Sequence, residues 1–117
     1  MISLPYPPAE LSPNARLHWA RKAKVTKACR IRAAWETKAA NVKVDWEGKI
    51  DVHISFYPPD KRQRDLDNCI ASVKSLLDGV ADALGVNDHR FNIHAYMGEP
   101  VKGGKVVFRL LKGDVNA

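Results

Sequence analysis

The sequence predicts one α/β (α+β) domain over residues 1–117, with the element order β-α-β-α-β-β and a mixed sheet flanked by helices. Three observations predict this class. Residues 50–57 alternate between apolar and polar side chains, residues 15–41 contain neither glycine nor proline, and apolar residues recur at helical spacing over residues 67–84. A length of 117 residues fits a single hydrophobic core.

The first half of the chain predicts a strand and a long helix. Residues 2–6 alternate, and the prolines that follow suit the end of an edge strand. Residues 15–41 are rich in Ala, Lys and Arg, which favour a helix. The three tryptophans of the chain are expected to pack in the core. On this helix an apolar stripe is predicted, and it consists of Trp19, Ala23, Ile31 and Trp35.

The second half predicts a strand, a helix and a hairpin. Residues 50–57 form the clearest strand, which Pro58 and Pro59 end. The helix runs from about Asp67, a good N-cap residue, to Leu84, and Gly85 follows it as a C′ glycine. Residues 90–97 and 105–111 read as two strands, and the Gly-Gly turn between them predicts that they pair as a hairpin.

Charge and cysteine usage narrow the class of partner. The formal net charge is +6, which favours a polyanionic partner such as nucleic acid. Between Arg16 and Lys43 there are nine Lys or Arg residues and one acid, Glu36. Cys29 and Cys69 lie too far apart for a CxxC pair, so two reduced, partly buried thiols are expected rather than a zinc site or a disulfide framework.

The sequence also predicts a compartment. The N-terminal segment MISLPYPPAE has no charged region followed by a long apolar run, so it is not expected to be a signal peptide. No stretch approaches the roughly 18 apolar residues of a membrane span. A cytoplasmic protein without a membrane partner is therefore expected.

Two carboxylates carry the sharpest chemical signal. Asp65 and Asp67 lie two residues apart where an extended segment enters a helix, so both side chains could converge on one point. Hard cations such as Mg²⁺ need clustered oxygen ligands, and phosphodiester cleavage often uses carboxylate-held metal. The alternative is that Asp67 only caps the helix and Asp65 is a solvated loop residue.

Basic residues precede this acidic pair. Lys61, Arg62 and Arg64 would place phosphate contacts beside a metal site, and Arg16 is expected to contact phosphate as well. The alternative is a solvated loop whose cations partly neutralise the aspartates. Local charge alone does not separate these two interpretations.

Lys74 and Asp88 complete the candidate set. Lys74 follows Asp67 by seven residues, almost two helical turns, and could hold a phosphate or the charge of a transition state. Its spacing alone favours instead an i,i+4 ion pair with Asp78. Asp88, in the loop after the helix, could be a third metal ligand or simply a turn residue, and its neighbour His89 could shuttle a proton.

Several of these segments together resemble the RusA family of Holliday-junction resolvases. The segment from Pro59 to Asn68, which reads PDKRQRDLDN, is similar to the family's signature, and Asn87-Asp88 falls where the family has its third acid. Weaker similarities cover nearly the whole chain, namely Ile2–Pro8, Asn14, Arg16, His18-Trp19 and Lys102–Gly104.

The resemblance implies that Asp65, Asp67 and Asp88 hold Mg²⁺, with Mn²⁺ as a substitute, and that Lys74 is the family's essential lysine. One departure concerns that lysine, because the family pattern places it four residues after the second acid, where this chain has Ala71. The resemblance also implies a homodimer that nicks two opposed strands of a four-way junction.

Three functions compete at this point. The leading hypothesis is a Mg²⁺-dependent, structure-selective endodeoxyribonuclease that resolves Holliday junctions in DNA recombination and repair. The alternatives are a branched-DNA-binding module without catalysis and a nuclease with a broader substrate range that includes flaps or forks. A homodimer of about 26 kDa, twice 13.0 kDa, is expected in the leading case, with sheet edges or the first helix near Trp19 and Trp35 as contact surfaces.

Overall fold

The helices and strands follow the predicted order, with one helix divided in two. The computed structural model describes residues 1–8, 11, 18–62 and 64–113, except the side chain of Asp67. The elements are β1 (Ile2–Leu4), α1 (Trp19–Ala39), β2 (Ile50–Tyr57), α2 (Leu66–Ser72), α3 (Lys74–Leu84), a 3₁₀ turn (Asp88–Arg90), β3 (Phe91–Met97) and β4 (Lys105–Lys112). The predicted α/β (α+β) class with a mixed sheet is confirmed.

The four strands form one sheet in the order β1-β4-β2-β3. β2 pairs with β3 in parallel and with β4 in antiparallel orientation. The predicted hairpin of β3 and β4 is therefore wrong, because β2 lies between them. The connection after β3 crosses the end of β2, where the Gly98 N–H donates to the Phe56 carbonyl at 2.8 Å and the Val101 N–H donates to the Pro58 carbonyl at 2.9 Å.

The alternation of β2 separates the two faces of the sheet. Ile50, Val52, Ile54 and Phe56 are fully buried and pack with the buried residues of α3 and β4. The opposite side of β2 carries Asp51, His53, Ser55 and Tyr57, which are only partly buried. We call the buried side of the sheet the helix-covered face and the opposite side the open face. The strand predicted over residues 50–57 is confirmed, and its alternation matches the burial pattern.

The helix predicted from Asp67 to Leu84 is interrupted at Val73. The Val73 N–H donates to the carbonyl of Ile70, three residues back, at 3.2 Å, and the backbone there has φ −93° and ψ 2°. This tighter turn ends α2 and begins α3 while Val73 stays fully buried. The prediction of one continuous helix is wrong, and Asp67 and Lys74 are consequently not related by two turns of a single helix.

The predicted apolar stripe of α1 does not face the core. α1 buries Ala33 and Thr37, whereas Trp19 and Trp35 remain 76% and 69% exposed. The reason is a close contact with α3, because a Cβ added at Gly79 would clash with the backbone of Arg30 and lie 2.8 Å from the Ala33 Cβ. Only small side chains fit between helices this close, so the indoles lie elsewhere. The prediction of core packing is therefore wrong for Trp19 and Trp35, while Trp46 is partly buried against the core.

Two simpler predictions concern thiols and membranes. Cys29 and Cys69 are both reduced, with Cys29 partly buried and Cys69 buried, as expected. Among the described residues, no helix has both the length and the apolar character needed to cross a membrane.

Candidate functional site

The acidic segment begins α2. The Cys69 N–H donates to the Asp65 carbonyl at 3.1 Å, which closes the first turn and makes Asp65, rather than Asp67, the residue at the N-cap. The prediction that Asp67 caps the helix is therefore wrong, because Asp67 lies inside α2. Asp65 is exposed, and the side chain of Asp67 lies outside the described part of the structure.

The basic loop before α2 divides its cations between two roles. The Arg64 guanidinium contacts the Asp60 carboxylate at 2.9 Å, donates to the Arg62 carbonyl at 2.8 Å and lies 5.7 Å from the centre of the Tyr6 ring. Its side chain is only 19% exposed, whereas that of Arg62 is 80% exposed. Arg64 therefore organises the loop, and Lys61 and Arg62 are the residues it presents to solvent.

Asp60 completes this loop. The Arg62 backbone N–H donates to its carboxylate at 2.9 Å. This hydrogen bond, followed by that from the Arg64 guanidinium, lowers the pKa of Asp60. Beside the loop, an open groove of about 340 Å³ extends to residues 97–100. Among the described residues of the loop, Asp60 thus joins the Arg62 backbone and the Arg64 side chain, beside an accessible surface that a phosphate backbone could reach.

The start of α3 brings Lys74 to two acids, which we call the lysine cluster (Lys74, Asp78 and Asp88). Lys74 Nζ lies 3.6 Å from Asp78 Oδ1 and 3.8 Å from Asp88 Oδ2. The 3₁₀ turn holds Asp88 in place, because Asn87 Oδ1 accepts a hydrogen bond from the His89 N–H at 2.9 Å. The structure therefore contains both contacts considered for Lys74, the i,i+4 ion pair and the approach to Asp88.

A cleft of about 290 Å³ opens beside Lys74. α1 contributes Lys22 and Thr26 to its wall, and α3 contributes Lys74, Ser75 and Asp78. The Ser75 side chain is buried, and its Oγ has no hydrogen-bond partner among the described residues. The cleft therefore carries two lysines and the carboxylate that pairs with one of them, while the Ser75 hydroxyl oxygen is itself buried.

The structure brings two of the predicted site residues together and does not describe others. Lys74 and Asp88 meet, as described above. Arg16 lies outside the described residues, as does the side chain of Asp67. The predicted metal set of Asp65, Asp67 and Asp88 therefore stays a prediction, as does the phosphate contact of Arg16.

A second polar cluster on the open face was missed by sequence reasoning. One potential ligand atom from each of Asp51, His53 and His94 lies within 4.8 Å of the others, and we call these residues the histidine cluster. The alternation of β2 already placed Asp51 and His53 on one face. His94 joins them because it pairs with His53 in the parallel register of β2 and β3, which the spacing of histidines along the chain does not show.

Comparison with known proteins identifies a relative. No protein-family model matches the chain. A protein of Xylella fastidiosa (strain Temecula1 / ATCC 700964), described as an uncharacterized protein, is 40% identical over 117 residues that cover 93% of this chain and 74% of the relative. Identity at this level over nearly the whole chain indicates common descent, and the chain belongs to the same family as this Xylella protein.

Proposed function

We propose that this protein is a Mg²⁺-dependent endodeoxyribonuclease that cuts branched DNA, with the four-way junction as its substrate. The observation that supports this best is the approach of Lys74 to Asp88, residues on different elements, beside a cleft that also contains Lys22. The resemblance of residues 59–68 to the RusA signature supplies the reaction class, and the net charge of +6 suits a DNA substrate.

The chemistry of the acids fits the proposed cation. Asp65, Asp67 and Asp88 would hold it, and a set of carboxylate oxygens is what Mg²⁺ prefers, with Mn²⁺ as a substitute. When bound, Mg²⁺ would activate water and neutralise charge on the phosphate. Asp65 is exposed at the start of α2 and Asp88 is exposed on the 3₁₀ turn, so both carboxylates are accessible to solvent and to DNA.

The remaining residues would bind and orient the DNA. Lys74 places a positive charge beside Asp88, where it would contact a phosphate oxygen whose charge grows during cleavage. Asp78 also pairs with the Lys74 ammonium, at 3.6 Å. Lys61 and Arg62, exposed on the basic loop, would bind the phosphate backbone together with Arg16, and this binding would depend on salt.

The proposal includes a homodimer acting in the cytoplasm of a bacterial cell or a phage host. A four-way junction has two-fold symmetry and needs two opposed cuts, which two identical sites can supply. The exposed Trp19 and Trp35 on α1, and the exposed Ile93 and Met97 on the edge strand β3, are apolar surfaces that a second copy could cover.

Cleavage of a synthetic four-way junction beside a linear duplex of the same sequence tests the proposal. With Mg²⁺ the junction should be cut at paired, opposed positions, and with EDTA it should not. Asp88→Asn should abolish cleavage while junction binding persists or tightens, because a carboxylate near phosphate repels it. Asp45→Asn removes the same charge from an exposed loop and should cut at the wild-type rate.

The competing function is a branched-DNA-binding module without catalysis. The ion pair of Lys74 with Asp78 and the internal contacts of Arg64 are the observations that favour it, because both residues then serve only the fold. Tight junction binding with no cleavage in Mg²⁺ or Mn²⁺ would establish this alternative. Faster cleavage of flaps or forks than of four-way junctions would instead identify a broader nuclease.

A further inference from the structure

The open face of the sheet carries a second site with different chemistry. We propose that Asp51, His53 and His94 bind a divalent d-block cation such as Zn²⁺. The proposal does not rest on the endonuclease proposal, because none of its residues belongs to the lysine cluster or to the predicted Mg²⁺ set. It rests on the geometry of three side chains on two paired strands.

The separations fit a small coordination sphere. His94 Nε2 lies 3.3 Å from Asp51 Oδ1, and one ligand atom of each of the three side chains lies within 4.8 Å of the others. Ligand atoms about 2.0–2.1 Å from a tetrahedral zinc are about 3.3 Å apart. One pair is therefore already at the required distance, and the other separations need a contraction that rotation of exposed side chains can supply.

The strands fix the positions of the three ligands. His53 pairs with His94 in the parallel register of β2 and β3, and Asp51 pairs with Asn92 one step along the same face. The two imidazoles stack with ring centres 4.6 Å apart and planes 12° apart. A site built on paired strands holds the backbone positions of its ligands more rigidly than one built on loops. Because the lone pair of an imidazole nitrogen lies in the ring plane, at least one ring must rotate out of this stack for both to ligate one cation.

Neighbouring side chains already orient two of the ligands. Tyr96 Oη lies 3.0 Å from Nδ1 of His53, and Asn92 Nδ2 donates to Asp51 Oδ1 at 3.4 Å. Hydrogen bonds of this kind fix the ring orientation and tautomer of histidine ligands in metal sites. Tyr96 is therefore a positioning residue for His53 in this proposal.

The donor set selects the class of cation. Two imidazoles and one carboxylate suit zinc, copper, nickel and iron(II), whereas Mg²⁺ prefers oxygen ligands alone. Three protein ligands leave a coordination position for water or another small ligand. Arg109 on β4 pairs with His53 on β2, and both residues line an open cleft of about 310 Å³. The positive charge of Arg109 therefore opposes the bare cation.

Calorimetric titration of the full chain with ZnCl₂ tests the proposal. Wild-type protein should bind one Zn²⁺ per chain, and His94→Ala should lower the affinity by more than about tenfold. His89→Ala and Asp45→Asn, which change a histidine and an exposed loop acid outside the cluster, should bind as wild type. Equal losses in His89→Ala and His94→Ala, or wild-type affinity in His94→Ala, would overturn the proposal.

Two further readouts separate ligation from a merely structural role. Tyr96→Phe should lower Zn²⁺ affinity by about tenfold without removing a ligand, and Arg109→Gln should raise it. NMR of the imidazole rings should show two of the four histidines, His53 and His94, shifting with Zn²⁺ and not with Mg²⁺. Shifts spread equally over all four histidines would mean adventitious binding and would contradict the site.

Discussion

The lysine cluster and the histidine cluster place acids in opposite chemical settings within one small domain. Asp78 and Asp88 meet an ammonium group at 3.6 Å and 3.8 Å, beside a cleft with a second lysine. Asp51 instead meets His94 at 3.3 Å beside the stacked His53 ring. The comparison shows that carboxylates of one domain meet an ammonium group in one cluster and imidazoles in the other. We propose that these different neighbours favour Mg²⁺ with a phosphate at the first cluster and Zn²⁺ at the second.

The two clusters also differ in how the fold holds them. The histidine cluster lies on hydrogen-bonded strands, where the register sets every pairing. The lysine cluster joins the first residue of a helix to a short 3₁₀ turn, and the Lys74 side chain is 71% exposed. We therefore expect the backbone positions of the histidine cluster to be preorganised, so that only side-chain rotation is needed, whereas the lysine cluster would reach its working geometry only with DNA and metal bound.

Lys74→Ala should have the largest effect, and that effect should fall on the junction cleavage rate. If Lys74 contacts charge that develops during cleavage, its loss should lower the junction cleavage rate by about 100-fold with little change in junction binding. Rates under single-turnover conditions and binding by gel shift would separate the two effects. Lys43→Ala, an exposed lysine in a loop, is the matched control. Equal small losses in rate and binding would make Lys74 a surface ion-pairing residue only.

Gly79→Ala tests the close packing of the helix that carries the lysine cluster. The new Cβ would clash with the backbone of Arg30 and lie 2.8 Å from the Ala33 Cβ, so α1 and α3 must move apart. We expect a loss of about 1–3 kcal/mol in the free energy of unfolding. Below the melting temperature, cleavage should fall while Zn²⁺ affinity is unchanged, because the histidine cluster lies on the open face. Thermal melts with an unchanged midpoint would refute the close contact.

Replacing Lys61 and Arg62 together by Ala should affect DNA affinity and not zinc. Each phosphate contact contributes about 0.9 to the slope of log affinity against log salt, so the double variant should flatten that slope by about 2. Lys112→Ala, at the exposed end of β4, should leave it unchanged. An unchanged slope in the double variant would move the DNA surface to α1. Arg64 is excluded from this test because its loss would disturb the loop.

Asp82→Asn should have the smallest effect, because the Arg30–Asp82 ion pair contributes to folding stability and to neither cluster. Arg30 binds the Asp82 carboxylate at 2.6 Å, and this hydrogen bond lowers the pKa of Asp82. A lowered pKa contributes stability above the unfolded value of about 3.9, and that contribution is lost progressively as the pH falls from there through the lowered pKa of the folded state. Wild type should therefore be slightly more stable than Asp82→Asn at pH 7, and the two should converge in acid. A difference that grows as the pH falls would contradict this assignment; denaturant melts measure it.

The sequence predicts those features that depend on local pattern. The alternation of residues 50–57 identifies the strand and its buried face, because side chains in a strand point alternately to two sides. The same holds for the helical spacing of α3 and for Gly85, which adopts the left-handed conformation with φ 67°. The i,i+4 pair of Lys74 and Asp78 also follows from spacing alone.

The features that sequence reasoning missed depend on tertiary structure. The predicted hairpin is wrong because β3, after a helical crossover, pairs in parallel with one edge of β2, and β4 pairs with the other edge. The tryptophans of α1 were misplaced because Gly79 admits a helix contact that only small residues can make. The histidine cluster requires the register that brings His53 and His94 together, although 40 other residues separate them in the chain.

The most direct test of the account is the Mg²⁺-dependent cleavage of a four-way junction by Asp88→Asn and His94→Ala in the same assay. Asp88→Asn removes one negative charge from the lysine cluster, His94→Ala removes one imidazole from the histidine cluster, and thermal melts would check that both variants are folded. The account predicts that Asp88→Asn loses at least about 100-fold in rate and that His94→Ala cuts as wild type. Cleavage that survives in Asp88→Asn, or that is lost in His94→Ala instead, would contradict the assignment of nuclease chemistry to Asp88.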